Sequence, residues 1–161
     1  MSTGTPSERA AIARRLEAVG RLDDDAIPIA ETALLLSALD HPTADPAKAR
    51  ALLEEMSLAT ENEAMARGLK TGVDAADADD GARDRAVLIA DILHGRYGFD
   101  GDDETYDHDD NASLARVLER RRGLPVALGV LAMHLGETLG WPVVGVNFPA
   151  HFLIRVEGGM D

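Results

Sequence analysis

The stretch from Val126 to Leu139, VALGVLAMHLGETL, is apolar around most of a helical circumference. Such a helix cannot lie on a surface with one face in water; the rest of the chain has to enclose it. Its limits are visible in the sequence. Pro125 suits the first helical turn, where a missing N–H is harmless, and Gly140 with Pro142 ends the helix. Directly afterwards the period changes. Val143–Phe148 and Phe152–Val156 are β-prone segments split by Pro149-Ala150.

The enclosing walls come from the first two thirds of the chain, which reads helical. Glu8–Val19 carries Ala10, Ala11, Ile12, Leu16 and Val19 near helical spacing, with Gly20 as a stop. A second helix spans about Pro28–Leu39, capped by Asp24 or Asp25, with Leu34, Leu35, Leu36 and Leu39 as apolar content. Asp45-Pro46 opens a third through Leu52, Leu53 and Met56, and Thr60 with Glu63 has the form of a capping box, which predicts a fresh start there. Thr71–Gly81 reads as an acidic loop. A helix over about Ala82–His94 places Val87, Leu88, Ile92 and Ile89 inward, with His94 near its end. A second acidic loop, Asp100–Asp110, leads to a helix over Ala112–Arg122, capped by Asn111 or Asp110 and stopped by Gly123.

Helices first, one buried helix, then strands is the order of an α+β fold, not of alternating βαβ units. The expectation is a single domain over 1–161, with a helical N-terminal part over 1–70 and a core over 82–161 that ends in a short antiparallel β segment. Two short strands make a weak sheet by themselves, and Glu157–Asp161 reads as a hairpin turn. A further strand is therefore expected. Either the chain is cut short at its C-terminal end, or a second copy pairs with the exposed strand edge.

Composition removes several function classes. With 29 acidic against 16 basic residues and a net charge of −13, the mean field repels phosphate, so no nucleic-acid partner is expected. No apolar run approaches the roughly 18–20 residues of a membrane span, and Met1–Arg9 has no apolar core of a signal peptide. The expectation is a cytoplasmic protein without a membrane partner. The chain has no cysteine, which removes disulfides, thiolate metal sites and a thiol nucleophile together. The seven acids between Asp100 and Asp110 suggest calcium, but both EF-hand registers lack the required glycine and glutamate. His41, His94, His108, His134 and His151 form no HxH, HxxxH or HExxH unit, so neither a metal nor a cofactor is expected. Among them His134 reads as the polar edge of the central helix. His151 stands apart, at the start of a strand beside the core. Arg120-Arg121-Arg122 closes a helix, where the dipole favours cations, and could also meet an acidic group.

Several strings taken together carry a resemblance. These are Tyr106-Asp107-His108-Asp109-Asp110-Asn111-Ala112-Ser113-Leu114, Val117-Leu118-Glu119-Arg120-Arg121-Arg122-Gly123-Leu124-Pro125, Leu139-Gly140-Trp141-Pro142-Val143 and Phe148-Pro149-Ala150-His151-Phe152-Leu153-Ile154-Arg155. They resemble the SirB-type transglutaminase-like family, bacterial proteins whose core is commonly followed by tetratricopeptide-type repeats. The resemblance implies a papain-like architecture. In that arrangement a cysteine opens the central helix, a histidine lies on a following strand, and an aspartate lies on the strand after it. The helix N-terminus lowers the thiol pKa and the histidine completes the ion pair.

Carried onto this chain, the family's GxC element falls on Gly123-Leu124-Pro125, so Pro125 stands at the nucleophile position, and His151 matches the histidine. Asp161 comes too early for the aspartate. The resemblance thus implies the fold but not the acyl-transfer chemistry. The leading expectation is a non-catalytic module that binds a protein or peptide in a remnant cleft built from Gly123, Leu124, Pro125, Arg121, His151 and the loop at Asn111. The alternative is a hydrolase or acyl-transfer enzyme in which His151 acts with a carboxylate such as Asp109 or Asp110.

Overall fold

The computed structural model describes residues 5–40, 45–72, 75, 81–149 and 151–157. Most of the loop read over Thr71–Gly81, together with His41, Ala150, Asp161 and the turn expected after Glu157, lies outside these residues. Helix α1 (Pro6–Val19) opens with a capping box in which the Thr5 side chain accepts from the Glu8 N–H. Helices α2 (Ile29–Asp40) and α3 (Pro46–Ala66) follow. Helix α4 (Ala82–Ala90) runs straight into a π-helical turn over Asp91–Arg96. Two-residue strand β1 (Asp100–Gly101) pairs in parallel with β2 (Arg122–Gly123), and between them lie a 3₁₀ turn (Asp109–Asn111) and α5 (Leu114–Arg120). Helix α6 (Pro125–Leu139) then leads to the antiparallel hairpin of β3 (Val143–Phe148) and β4 (His151–Val156). The α+β class expected from the sequence is the one observed.

Helix α6 is enclosed as its apolar circumference demands. It packs against α2, α3 and α4 and against both strands of the hairpin. Ala127, Leu131, Ala132, Leu135 and Leu139 are buried on it, beside Leu34, Leu53, Met56, Leu88 and Val117 from the surrounding helices. Full burial of a leucine contributes roughly 1.5–3 kcal/mol, so this one helix carries a large share of the apolar stabilisation. Its ends fall at the punctuation in the sequence: Pro125 is the first helical residue, and Gly140 ends the helix in the left-handed conformation at φ 70°.

The hairpin seats on α6 through glycine. A Cβ on Gly129 would stand 2.3 Å from Cε1 of Phe152, and one on Gly136 would stand 2.2 Å from Cγ2 of Val143. Those contacts fix which face of the hairpin meets the helix. Val143, Gly145 and Asn147 pair with Val156, Ile154 and Phe152 on the inner face. Val144, Val146 and Phe148 pair with Arg155, Leu153 and His151 on the outer one.

Four local expectations are corrected. No fresh start occurs at Thr60; it is fully buried and its hydroxyl donates to the Met56 carbonyl at 2.6 Å, so α3 continues unbroken. Val87 is exposed, whereas Leu88, Ile89, Ile92 and Leu93 are buried as two adjacent pairs one turn apart. Helix α5 is shorter than the Ala112–Arg122 span. Its N-cap position is Ser113, and it ends on Arg121, which takes a left-handed φ of 61° while its N–H bonds the Val117 carbonyl. Gly123 is not the helix stop but a packing glycine of β2, where a Cβ would stand 2.5 Å from Cγ2 of Val117.

Candidate functional site

The cavity at the start of α6 begins with a proline. Pro125 occupies the first helical position after Leu124, which is extended at φ −66° and ψ 152° and supplies no side-chain cap. The Leu128 N–H bonds the Leu124 carbonyl, so the N–H groups of Val126 and Ala127 are left without an intrahelical acceptor. Leu124 is held from behind, its N–H donating to the Asn111 carbonyl at 3.0 Å.

The turned end of the hairpin closes the other side. At this end Phe148 pairs with His151. A cavity of about 500 Å³ results, lined by Leu124, Pro125 and Val126 from the helix start, by Tyr106, and by Asn147, Phe148, His151, Phe152 and Leu153 from the hairpin. Pro125 and His151, 26 residues apart in sequence, therefore share one cavity. Leu124 lines it with them.

Asn111, Gly123 and Arg121 stand behind this cavity and do not line it. Asn111 is fully buried; its amide donates to the Thr105 and Tyr106 carbonyls, and its side-chain oxygen accepts from Arg120 at 3.0 Å. It thereby fixes the loop that brings Tyr106 to the cavity. Arg121 lays its guanidinium over the rings of Phe99 and Tyr97, 4.8 and 5.4 Å from their centroids. Arg120 reaches Asp102 at 2.7 Å. The Thr105 hydroxyl and N–H, with the Arg120 guanidinium, hold the Asp102 carboxyl well below the usual carboxylate range. The arginine run is thus tied into the fold.

The chemistry of the lining is narrow. Tyr106 carries the sole hydroxyl among the described residues that line the cavity, and none of them carries a carboxylate. Asp109 lines a different cavity, beside Asp40 and Ser113. Asp110 is 3.1 Å from Arg116. Neither carboxylate meets His151. Strand alternation also sets the His151 side chain with Leu153 and Arg155, on the face turned away from α6. Among the described residues nothing hydrogen-bonds to it, and no group of three or more His, Asp or Glu side chains could hold a metal ion. Tyr106, Val126, Phe148 and Leu153 around the mouth are large hydrophobics left 57%, 44%, 55% and 49% exposed. None of these four is among the site residues expected from the sequence. Their signal was present in part: Val126 sits in the first turn of an otherwise buried helix, and Phe148 and Leu153 fall on the outer face by alternation.

Comparison with known proteins finds a family and several relatives. Residues 47–160 match the family model described as the transglutaminase-like superfamily. A UPF0162 protein of Vibrio cholerae is 42% identical over 79 residues, covering 49% of this chain and 28% of that protein. A UPF0162 protein of Xylella fastidiosa is 29% identical over 135 residues, covering 84% of this chain and 44% of that protein. F-box only protein 21 of Mus musculus is 36% identical over 64 residues, covering 40% of this chain and 10% of that protein. The chain thus spans less than half the length of each of these relatives. No solved structure matches.

Proposed function

The chain belongs to the transglutaminase-like superfamily, and from that premise we propose that it is a non-catalytic member of the SirB type whose remnant cleft binds a protein or peptide segment in the cytoplasm. The observation that carries this reading is Pro125. The architecture puts its nucleophile in the first turn of the central helix, and here that turn begins with a side chain that has no proton to lose and no lone pair to attack with. The helix start survives the change because proline is pre-shaped for it.

The lining supports binding over turnover. Val126, Phe148 and Leu153 give apolar anchors at the mouth, the kind of surface that a hydrophobic side chain of a partner fills. Strands β3 and β4 pair only with each other among the described residues. Each therefore keeps one free edge on which an extended segment, from a partner or from a second copy, can add a strand. The net charge of −13 opposes a nucleic-acid partner. Among the described residues no helix is long and apolar enough to cross a membrane.

The test has two arms. Purified protein offered a glutamine-containing peptide and a primary amine is expected to release no ammonia above the blank, with or without His151→Ala. Peptides selected on the immobilised protein are expected to lose at least about tenfold in affinity, the size of one buried apolar anchor, when Leu153→Asp is introduced without change in the melting curve. Turnover that His151→Ala abolishes sinks the proposal.

A further inference from the structure

A second cavity lies on the opposite flank of α6 and belongs to none of the chemistry above. His134 stands nine residues beyond Pro125 on the same helix, about 13 Å further along its axis. Its Nε2 is 3.2 Å from the Ser57 hydroxyl of α3, and that hydroxyl is 3.1 Å from Oγ1 of Thr138, one turn further along α6. Thr138 also donates back to the His134 carbonyl. The three side chains form a closed polar cluster at the floor of a cavity of about 630 Å³ between the start of α2, α3 and α6. That volume is in the range of small-molecule pockets.

A serine bonded to a histidine suggests a nucleophile and its base, but the surroundings argue otherwise. Ser57 lies in the middle of α3, where the neighbouring N–H groups are engaged within the helix and none can form an oxyanion hole. Its hydroxyl is shared with Thr138. The cluster is built to hold a ligand, not to cleave one.

The charges around it select the ligand. Arg50 is engaged by Glu31 through two hydrogen bonds of 3.0 and 2.8 Å, and Arg15 reaches the same carboxylate at 2.6 Å. Glu31 is therefore shared by two guanidiniums, and with Glu54 and Glu137 the group holds two positive against three negative charges, which leaves the flank negative. Burial disfavours the charged form of His134 and outweighs the opposing field of Glu137. Glu54 and Glu137, both exposed on the rim, have no hydrogen bond or ion pair among the described residues. Leu53, Leu58, Pro28 and Ala30 supply the apolar wall, with Leu58 61% exposed.

We propose that this cavity is a binding site for a small amphipathic amine, its apolar body against Leu53 and Leu58 and its protonated nitrogen drawn to Glu54 and Glu137. The Ser57–His134–Thr138 cluster offers a hydrogen-bonding floor to a polar substituent. The site is separate from the remnant cleft and does not depend on the function proposed for it.

The test titrates isotope-labelled full chain with 2-phenylethylamine, 2-phenylethanol and 3-phenylpropionate, followed by amide chemical shifts. Saturable shifts are expected at Ser57, Leu58 and His134, with the amine binding more tightly than the alcohol and the acid weakest. The double substitution Glu54→Gln with Glu137→Gln, both on the exposed rim, should weaken the amine about fivefold, the size of two exposed ion pairs, and leave the alcohol unchanged. Leu153→Asp in the remnant cleft should change none of this. Binding of the acid as tightly as the amine, indifference of the amine to the glutamine pair, or no saturable shift at these residues up to tens of millimolar each overturns the proposal.

Discussion

Gly129→Ala tests how the hairpin bearing His151 is seated. Alanine is favoured over glycine inside a helix by about 1 kcal/mol, so an exposed position would gain stability. Gly129 is buried, and the new Cβ would stand 2.3 Å from Cε1 and 3.1 Å from Cδ1 of Phe152, and 3.1 Å from Cδ1 of Ile154. Displacing a packed ring costs about 2 kcal/mol. The net expectation is a loss of about 1 kcal/mol, or roughly 2–4 °C in melting temperature for a domain of this size. In a Phe152→Ala background only the Ile154 contact remains, and the same substitution should be neutral or stabilising by up to about 1 kcal/mol. The coupling energy between the two sites is then about 1–2 kcal/mol. Urea unfolding of the four proteins, followed by far-ultraviolet circular dichroism, measures it. An equal cost of Gly129→Ala in both backgrounds would refute the contact, and with it the reason given for where the cavity's hairpin wall stands.

Three further outcomes follow from single groups. Asp45 accepts from the N–H groups of Ala47 and Lys48 at the start of α3, so Asp45→Ala should cost about 1 kcal/mol in the same urea assay. The folded-state pKa of His134 is lowered by burial. The unfolded chain therefore binds the extra proton first, and stability should fall as pH drops below about 6.5; His134→Gln should remove that component of the melting-temperature profile. Asp102 has its folded pKa lowered by Thr105 and Arg120, so its contribution is present above its ordinary value near 3.9 and lost as pH falls further. Asp102→Asn should lower stability at neutral pH and flatten the acid limb below about pH 4.

What could be read from the sequence was whatever a single local cause decides. Pro125, the apolar circumference and Gly140 each mark α6 independently, and its observed bounds of Pro125–Leu139 follow them. The β3 and β4 segments are β-prone and separated by Pro149-Ala150, and they pair in register as a hairpin. Thr60 was misread because a threonine three residues before a glutamate suits both a capping box and a mid-helix position; burial decided it, and burial is a tertiary property. Asn111 offered the same ambiguity. Its side-chain oxygen could have capped a helix, but that oxygen accepts from Arg120 while the NH2 group binds the loop carbonyls of Thr105 and Tyr106. Arg121 adopts a left-handed backbone with no local sequence reason; stacking on Phe99 and Tyr97 accompanies it. The resemblance implies that Pro125 and His151 belong to one site, and both line one cavity. Ser57 and His134, 77 positions apart, had no motif to join them.

The architecture of the cavity at the start of α6 does not depend on which residue stands at position 125. Gly123 is required because Val117 leaves no room for a Cβ, Leu124 is tied to Asn111 through its N–H, and Asn111 in turn holds the loop bearing Tyr106. Gly129 and Gly136 admit the hairpin, and the enclosed face of α6 demands that something cover it. Every one of these constraints is a packing or hydrogen-bonding constraint, and each would hold equally with a cysteine or a proline at position 125. Likeness of fold is therefore evidence about packing, and only the side chains that line the cavity bear on reaction. Here those side chains are proline, apolar residues, a tyrosine, an asparagine and a histidine on the outer face of its strand. If the proposed reading holds, these packing constraints alone would keep the cleft in shape without a nucleophile at position 125, as an apolar surface that a partner can use.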